Sequence, residues 1–354
     1  MHGLEIPNDA FCSISVQELV TTHSSPAPSP VHPALILQKR SVPPDLVAPV
    51  LYSGTNSAPW TRELPQPPPP PPPSDNPIHL SLSLGAKLGS GPYGVVYEVT
   101  PLQRDEGTHK MPKLVVKIAR WSCAALLARE AWFYNELHSL QGSVVPKCYG
   151  LYDCVLQPGF EVSVLGDRQD VSPDWWRYDI HARRSIGDRV MGSLPLHDEL
   201  RRLRDSTDCL SILLLERVGC PINIGLDGIT AEAVCDDLAR LFEDVTNLGV
   251  NLLPLESENI AHKHDDTPVR ISPYREHEHR FRIFDLGCAV KTNMAQRWLH
   301  GAYLCNVRAI SRDLSYGNDD EEDEDSNELI EDDGASDSES QPPWQARPCS
   351  RREQ

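Results

Sequence analysis

The stretch Ile78-His79-Leu80-Ser81-Leu82-Ser83-Leu84, followed by Gly89-Ser90-Gly91-Pro92-Tyr93-Gly94-Val95-Val96, decides how this chain is read. Apolar residues at 78, 80, 82 and 84 alternate with His and Ser. That period of two makes a half-buried strand. Val95, Val96, Tyr97 and Val99 are β-branched or aromatic and make a second strand. A loop from Pro101 to Met111 leads to a third strand, Leu114 to Ala119. Strand, glycine turn, strand, loop, strand is a meander. A dinucleotide site would place a helix directly after the glycines, and none is encoded there. Glycines let the backbone lie over phosphate groups and turn its N–H groups toward their oxygens. Pro92 departs from that pattern, since it removes one N–H donor and stiffens the loop.

Working outward, the 354 residues carry a net charge of −18. Residues 319–339 hold 13 Asp or Glu with no Lys or Arg, which leaves −5 for the rest. The acidity therefore belongs to the tail and argues against nucleic acid as a partner. Ten Cys are scattered without a C-x-x-C pair, as expected of reduced thiols. Met1 to Val20 has no basic region followed by an apolar run. No apolar stretch approaches the roughly 20 residues of a membrane helix. A cytoplasmic or nuclear protein with no membrane partner is expected.

Residues 1–77 lack sustained periodicity and are rich in Pro and Ser, so they read as a disordered arm. Pro67 to Pro73 is an unbroken proline run and forms polyproline II, at about 3.1 Å per residue. Two roles fit it: a stiff spacer, or a ligand for a protein partner with an aromatic-lined groove. Residues 78–314 read as the folded domain and 315–354 as a disordered acidic tail. Ser336, Ser338 and Ser340 sit among acids, open to acid-directed phosphorylation or simply solvated.

Cys123 to Leu140 is helical by pattern, with Leu126, Glu130, Phe133, Leu137 and Leu140 on one face. A carboxylate inside an apolar face is costly to bury unless paired. Lys117, on the preceding strand, is the candidate partner, and a solvent-facing Glu130 is the other reading. Glu136 points elsewhere. Thr230 to Leu248 is the clearest helix, with Val234, Leu238, Leu241, Phe242, Val245 and Leu248 in one stripe, Thr230 as cap and Gly249 as stop. An apolar strand, Phe281 to Phe284, precedes Asp285-Leu286-Gly287. Between Asn259 and Asp285 lie His262, His264, His277 and His279. Paired His at i and i+2 could hold zinc on a hairpin, but without a Cys pair, and amid Arg, Glu and Asp, the segment reads as an exposed polar loop. Leu151 to Cys209 reads as an insertion with one short helix. It carries Trp175-Trp176 and Arg201-Arg202-Leu203-Arg204, which could also face a partner.

The run Glu130-Ala131-Trp132-Phe133-Tyr134-Asn135-Glu136-Leu137, with Val145-Pro146-Lys147-Cys148-Tyr149-Gly150 after it, resembles the protein kinase superfamily, specifically short fungal kinase-like proteins. The resemblance covers about residues 80–292. It implies an α+β, two-lobed fold: a five-stranded antiparallel amino-terminal lobe with one helix (78–219), over an incomplete helical lobe (220–314). It also implies ATP and Mg²⁺ as ligands. Gly89, Gly91, Gly94 and Val96 would cover the nucleotide, and Lys117, paired with Glu130, would hold phosphates. Ser211 to Glu216 would be the fifth strand, Leu215 the gatekeeper, and Glu216 and Val218 part of the hinge under adenine. Asn259 and Asp285 would hold the metal, and Lys117, Glu130 and Asp285 would be the catalytic set.

The same resemblance exposes two defects. Leu252-Leu253-Pro254 stands where the family has His-Arg-Asp, so Pro254 replaces the catalytic Asp five residues before Asn259. Glu256 and Glu258 are displaced by two and four residues. Two residues of extended chain are about 6–7 Å, whereas a general base must come within roughly 3 Å of its proton. Only 67 residues follow Gly287, too few for a substrate platform. These features point to a pseudokinase or a very weak phosphotransferase. The alternatives are an active Ser/Thr-type kinase with an unusual base, and a non-catalytic interaction protein that works through its two tails.

Overall fold

The computed structural model describes residues 6–22, 34–52, 60–67, 69, 78–102, 111–121, 123–165, 197–206, 208–222, 230–252 and 256–316. In chain order the strands are β1 (Phe11–Gln17), β2 (Val20–Thr22), β3 (Leu35–Lys39), β4 (Ile78–Ser90), β5 (Gly94–Pro101), β6 (Leu114–Ala119), β7 (Cys148–Val155), β8 (Phe160–Val162), β9 (Cys209–Glu216), β10 (Val250–Asn251), β11 (Ile260–His262), β12 (Phe281–Ile283) and β13 (Val290–Lys291). The α-helices among the described residues are α1 (Ala124–Glu136), α2 (Asp198–Asp205), α3 (Ala231–Asn247) and α4 (Gln296–Tyr316).

Seven strands close into a barrel in the order β1-β3-β7-β9-β6-β5-β4. Six of the pairings are antiparallel, and β1 closes the ring by pairing parallel with β4. The expected two-lobed, kinase-like fold with a five-stranded antiparallel lobe is therefore corrected. The strands 78–90, 94–101, 114–119, 148–155 and 209–216 do lie side by side, but β1 and β3 fill the gap between their two edges. The reason lies in residues 11–16. Ile14 and Val16 point into the barrel with Leu80 and Leu82 of β4. Ser13 and Ser15 alternate with them and meet the polar side of β4: Ser13 Oγ is 2.8 Å from His79 Nδ1, and Ser15 Oγ donates to Ser81 Oγ at 3.1 Å. Closure removes the unpaired edges that an open sheet would expose.

Among the described residues of 1–77, β1, β2 and β3 stand where a disordered arm was expected. Beyond β3 the described chain runs as a strap across the helices. The Trp132 indole N–H donates to Pro44 O at 2.9 Å. Val50 N–H reaches Lys291 O at 2.8 Å, Arg62 N–H reaches Asn293 O at 2.8 Å, and Trp60 O accepts from Ala295 N–H at 2.8 Å. Most of the proline run, residues 315–354 other than the end of α4, and Trp175-Trp176 lie outside the described residues.

Strands β6 and β9 are buried on both faces. Leu114, Val116 and Ile118 line the barrel with Leu210, Ile212 and Leu214. Val115 and Ala119 face the other way with Leu213 and Leu215, into the core around α1. Alternation along a strand demands this division. Helix α3 starts as expected, with Thr230 Oγ1 accepting from Ala233 N–H, and it packs on α4 through stacked Phe242 and Tyr303 rings, 4.3 Å apart. The short helix expected in the insertion is α2, whose Glu199 pairs with Arg40 of the strap.

Because Leu37 is fully buried on β3 and Ile36 is exposed, the two separate a barrel strand from a tether. Leu37→Ala should cost roughly 2–5 kcal/mol in denaturant unfolding, and Ile36→Ala about 0.5 kcal/mol or less. Equal, small effects would place β3 outside the core.

Candidate functional site

Lys117 sits on the α1 side of β6, between Val116 and Ile118, which fill the barrel. Its Nζ donates to Glu130 Oε2 at 2.6 Å and to Asp285 Oδ1 at 2.7 Å. The three side chains are 12%, 2% and 42% exposed, so Asp285 is the member that meets solvent. Helix α1 holds Glu130 there because Leu126, Leu127, Phe133, Tyr134 and Leu137 are buried around it. Arg129 ties the helix to the turn after Asp285, donating to Gly287 O at 2.9 Å and Ala289 O at 2.5 Å.

Two negative groups and one positive group share the cluster. Burial disfavours the Lys117 ammonium, but Glu130 and Asp285 outweigh it and raise its pKa above the ordinary value. Burial pushes the Glu130 carboxyl up to about 7, with Lys117 pulling it down and Asp285 pushing it up. With Glu130 ionised, the surplus charge is one carboxylate. Asp285 itself adopts φ 61°, ψ 63°, a left-handed conformation. For a residue with a Cβ this costs on the order of 1–2 kcal/mol. That strain aims its carboxylate at Lys117 as the chain leaves β12.

Asn259 and Asp285 are separated by a long stretch of sequence but not in space. Ile260 pairs with Ile283 across β11 and β12, and Phe284 N–H donates to Asn259 O at 3.0 Å. The pairing sets Asn259 beside the residue that precedes Asp285.

The glycine segment is the β4–β5 hairpin. Val96 lies opposite Lys117 in the β5–β6 register, so both project on one face. A Cβ on Gly94 would lie 2.8 Å from Ile118 O, so packing alone requires that glycine. A Cβ on Gly89 or Gly91 would meet nothing within 4 Å. The protein's own packing thus gives no reason for these two glycines, whereas close approach of a ligand would. Gly91 N–H is engaged by Gly94 O at 2.9 Å, and Arg120 pins the tip through Gly91 O at 2.8 Å and Ser90 Oγ at 3.0 Å. With Pro92 lacking an N–H, the tip offers few donors to a phosphate.

Glu216 is buried and engaged, with its backbone N–H on Lys147 O at 2.9 Å and its Oε2 accepting from Lys147 N–H at 3.1 Å. Val218 is half-buried, between Arg217, whose N–H donates to Lys113 O, and Gly219, whose N–H donates to His262 O. These two residues stand apart from the ionic cluster, at the end of β9. Pro254 falls outside the described residues, while Glu256 and Glu258 beside it are exposed. Tyr303 holds the chain just before it, its hydroxyl accepting from Leu252 N–H at 2.6 Å and donating to Val250 O at 3.1 Å.

The exposed-loop expectation for the His segment is overturned in part. His279 is 0% exposed and lies between Asp237 and Asp244 of α3. Both carboxylates fall within the apolar stripe of α3, as Glu130 does in α1. The sequence carries the same signal there, a carboxylate among apolar helix positions. Arg120, Arg129 and Tyr303 act through backbone carbonyls and amides, which no side-chain pattern announces.

No protein-family model matches the chain, and no curated protein matches it.

The raised Glu130 carboxyl gives a pH signature. Its folded-state pKa, about 7, lies above the ordinary 4.5, so the folded state holds a proton that the unfolded state has lost. The stability this group confers is fully present below pH 4.5 and falls as pH rises through 7. In thermal melts the wild type should lose stability relative to Glu130→Gln across that window. Parallel profiles would contradict it.

Proposed function

We propose that the chain binds ATP with Mg²⁺ at the Lys117 cluster and transfers the phosphate slowly or not at all. The observation that carries this reading is the placement of Lys117. It is held between Glu130 and Asp285, directly across the register from Val96 and at the foot of a hairpin whose Gly89 and Gly91 face open space. The donor chemistry fits the ion: Asp285 and Asn259 offer hard oxygen atoms, which Mg²⁺ prefers, and the cluster has a negative charge to spare. Bound Mg²⁺ would supply charge neutralisation for the phosphates. Lys117 would add a fixed positive charge, and Glu130 would keep that lysine in place. The resemblance to protein kinases in these residues supports the same ligand.

Slow transfer follows from the residues near Asn259. Pro254 has no ionisable group, and the nearest carboxylates, Glu256 and Glu258, are exposed beyond it. Phosphoryl transfer depends chiefly on positioning and metal electrostatics, so the loss of the base lowers the rate without abolishing binding. The other alternative, a non-catalytic interaction protein working through its tails, loses support because the described amino-terminal residues are built into the barrel and strap.

ATP with Mg²⁺ at about a hundredfold over Kd should stabilise the chain by about 2.7 kcal/mol. For a domain of this size that is a Tm rise on the order of 5 °C. Lys117→Ala and Asp285→Asn should each abolish the rise. An unchanged wild-type Tm would refute binding. Rapid radiolabelled phosphate transfer, lost in Asp285→Asn, would refute the slow-transfer half alone.

A further inference from the structure

We propose a second site: Asp237, His277 and His279 form a structural site for a divalent transition ion of the zinc type, with Asp244 as the carboxylate behind His279. It is independent of the nucleotide reading and uses none of the same residues. Asp237 Oδ1 is 3.1 Å from His277 Nε2 and 3.4 Å from His279 Nδ1, and the three donor atoms lie within 4.8 Å of one another. Zinc–ligand bonds of about 2.0–2.2 Å in a tetrahedron set donor atoms roughly 3.3–3.6 Å apart. Two edges of such a site are thus close to their final lengths.

The surroundings orient the donors. Asp237 Oδ2 accepts from Arg280 N–H at 2.8 Å, which leaves Oδ1 turned to the two imidazoles. His279 Nε2 is 2.9 Å from Asp244 Oδ2. A histidine that ligates through one nitrogen and donates its other N–H to a carboxylate is the usual second layer of a metal site. Asp237 and Asp244 are seven residues apart on α3, hence on one face two turns apart.

The hydrogen-bond pattern can be met in two ways, by a doubly protonated His279 or by an ion. One oxygen, Asp237 Oδ1, faces two imidazole nitrogens, while His279 also faces Asp244. If all three contacts were ordinary hydrogen bonds, His279 would have to carry protons on both nitrogens inside the protein. An ion at the focus lets His279 remain neutral, lend Nδ1 to the metal and keep Nε2–H for Asp244. It also compensates Asp237 and Asp244, which are buried. His277, 34% exposed, leaves one side open for a water or a further ligand. The ion would fasten the segment between β11 and β12 onto α3.

The test uses the full chain, stripped with a chelator and titrated with Co²⁺ and with Zn²⁺. One ion per chain is expected, with Co²⁺ showing the intense ligand-field absorption of a tetrahedral site and Zn²⁺ displacing it. His277→Gln, at a half-exposed position, should weaken binding at least tenfold while melting like the chelated wild type. Asp244→Asn should weaken it about 10–100-fold. Asp285→Asn should leave it unchanged. Failure of the wild type to bind stoichiometrically, or binding that His277→Gln leaves intact, would overturn the site. The second of these results would assign the ion to the acidic tail or to thiols instead.

Discussion

Lys117 emerges from a strand that is buried on both faces, so its charge has to be neutralised where it stands. One side of β6 fills the barrel, and the other is covered by α1. Its side chain runs between α1 and the end of β12, where Glu130 and Asp285 receive it. That one ammonium group connects the barrel, α1 and the β11–β12 pair. An unpaired charge at this depth would cost several kcal/mol, so the position of α1 and the strained turn at Asp285 are both linked to it. Arg129 reinforces the link from the helix side through Gly287 O and Ala289 O.

The barrel makes that burial possible. An open five-stranded sheet would leave the inner faces of β4, β5 and β7 without a partner. Here β1 and β3 close the ring, and the strap that follows runs across α1 to β13 and the start of α4. The amino-terminal segment is therefore part of the scaffold that positions the site. Tyr303 of α4 plays a comparable part, fixing Val250 and Leu252.

Much of this was legible in the sequence. The strands at 78–84, 95–99 and 114–119, helices α1 and α3, and the likelihood of a partner for Glu130 all follow from periodicity and from the cost of a carboxylate on an apolar face. Closure is hard to see in the sequence, although Ser13-Ile14-Ser15-Val16 carries the same alternation as Leu80-Ser81-Leu82-Ser83. Four residues of alternation are a short signal, and a Pro- and Ser-rich stretch begins a few residues on, at Ser24. A parallel pairing between segments more than sixty residues apart also leaves no local signal. The His segment is dense in charge, but charge density does not fix exposure, and His279 is buried. Asp237 and Asp244, within the stripe of α3, were the counter-signal. What the hairpin offers a phosphate could not be read from its glycines, since it depends on whether each N–H is already engaged.

The central claim is that one ionic cluster beneath a glycine hairpin receives a nucleotide. The most direct test is amide hydrogen exchange on the full chain with and without ATP and Mg²⁺. The account predicts added protection confined to residues 88–96 and 284–288, absent in Lys117→Ala. No change at those segments, or protection only at the far end of α3 around Asp237, would contradict it.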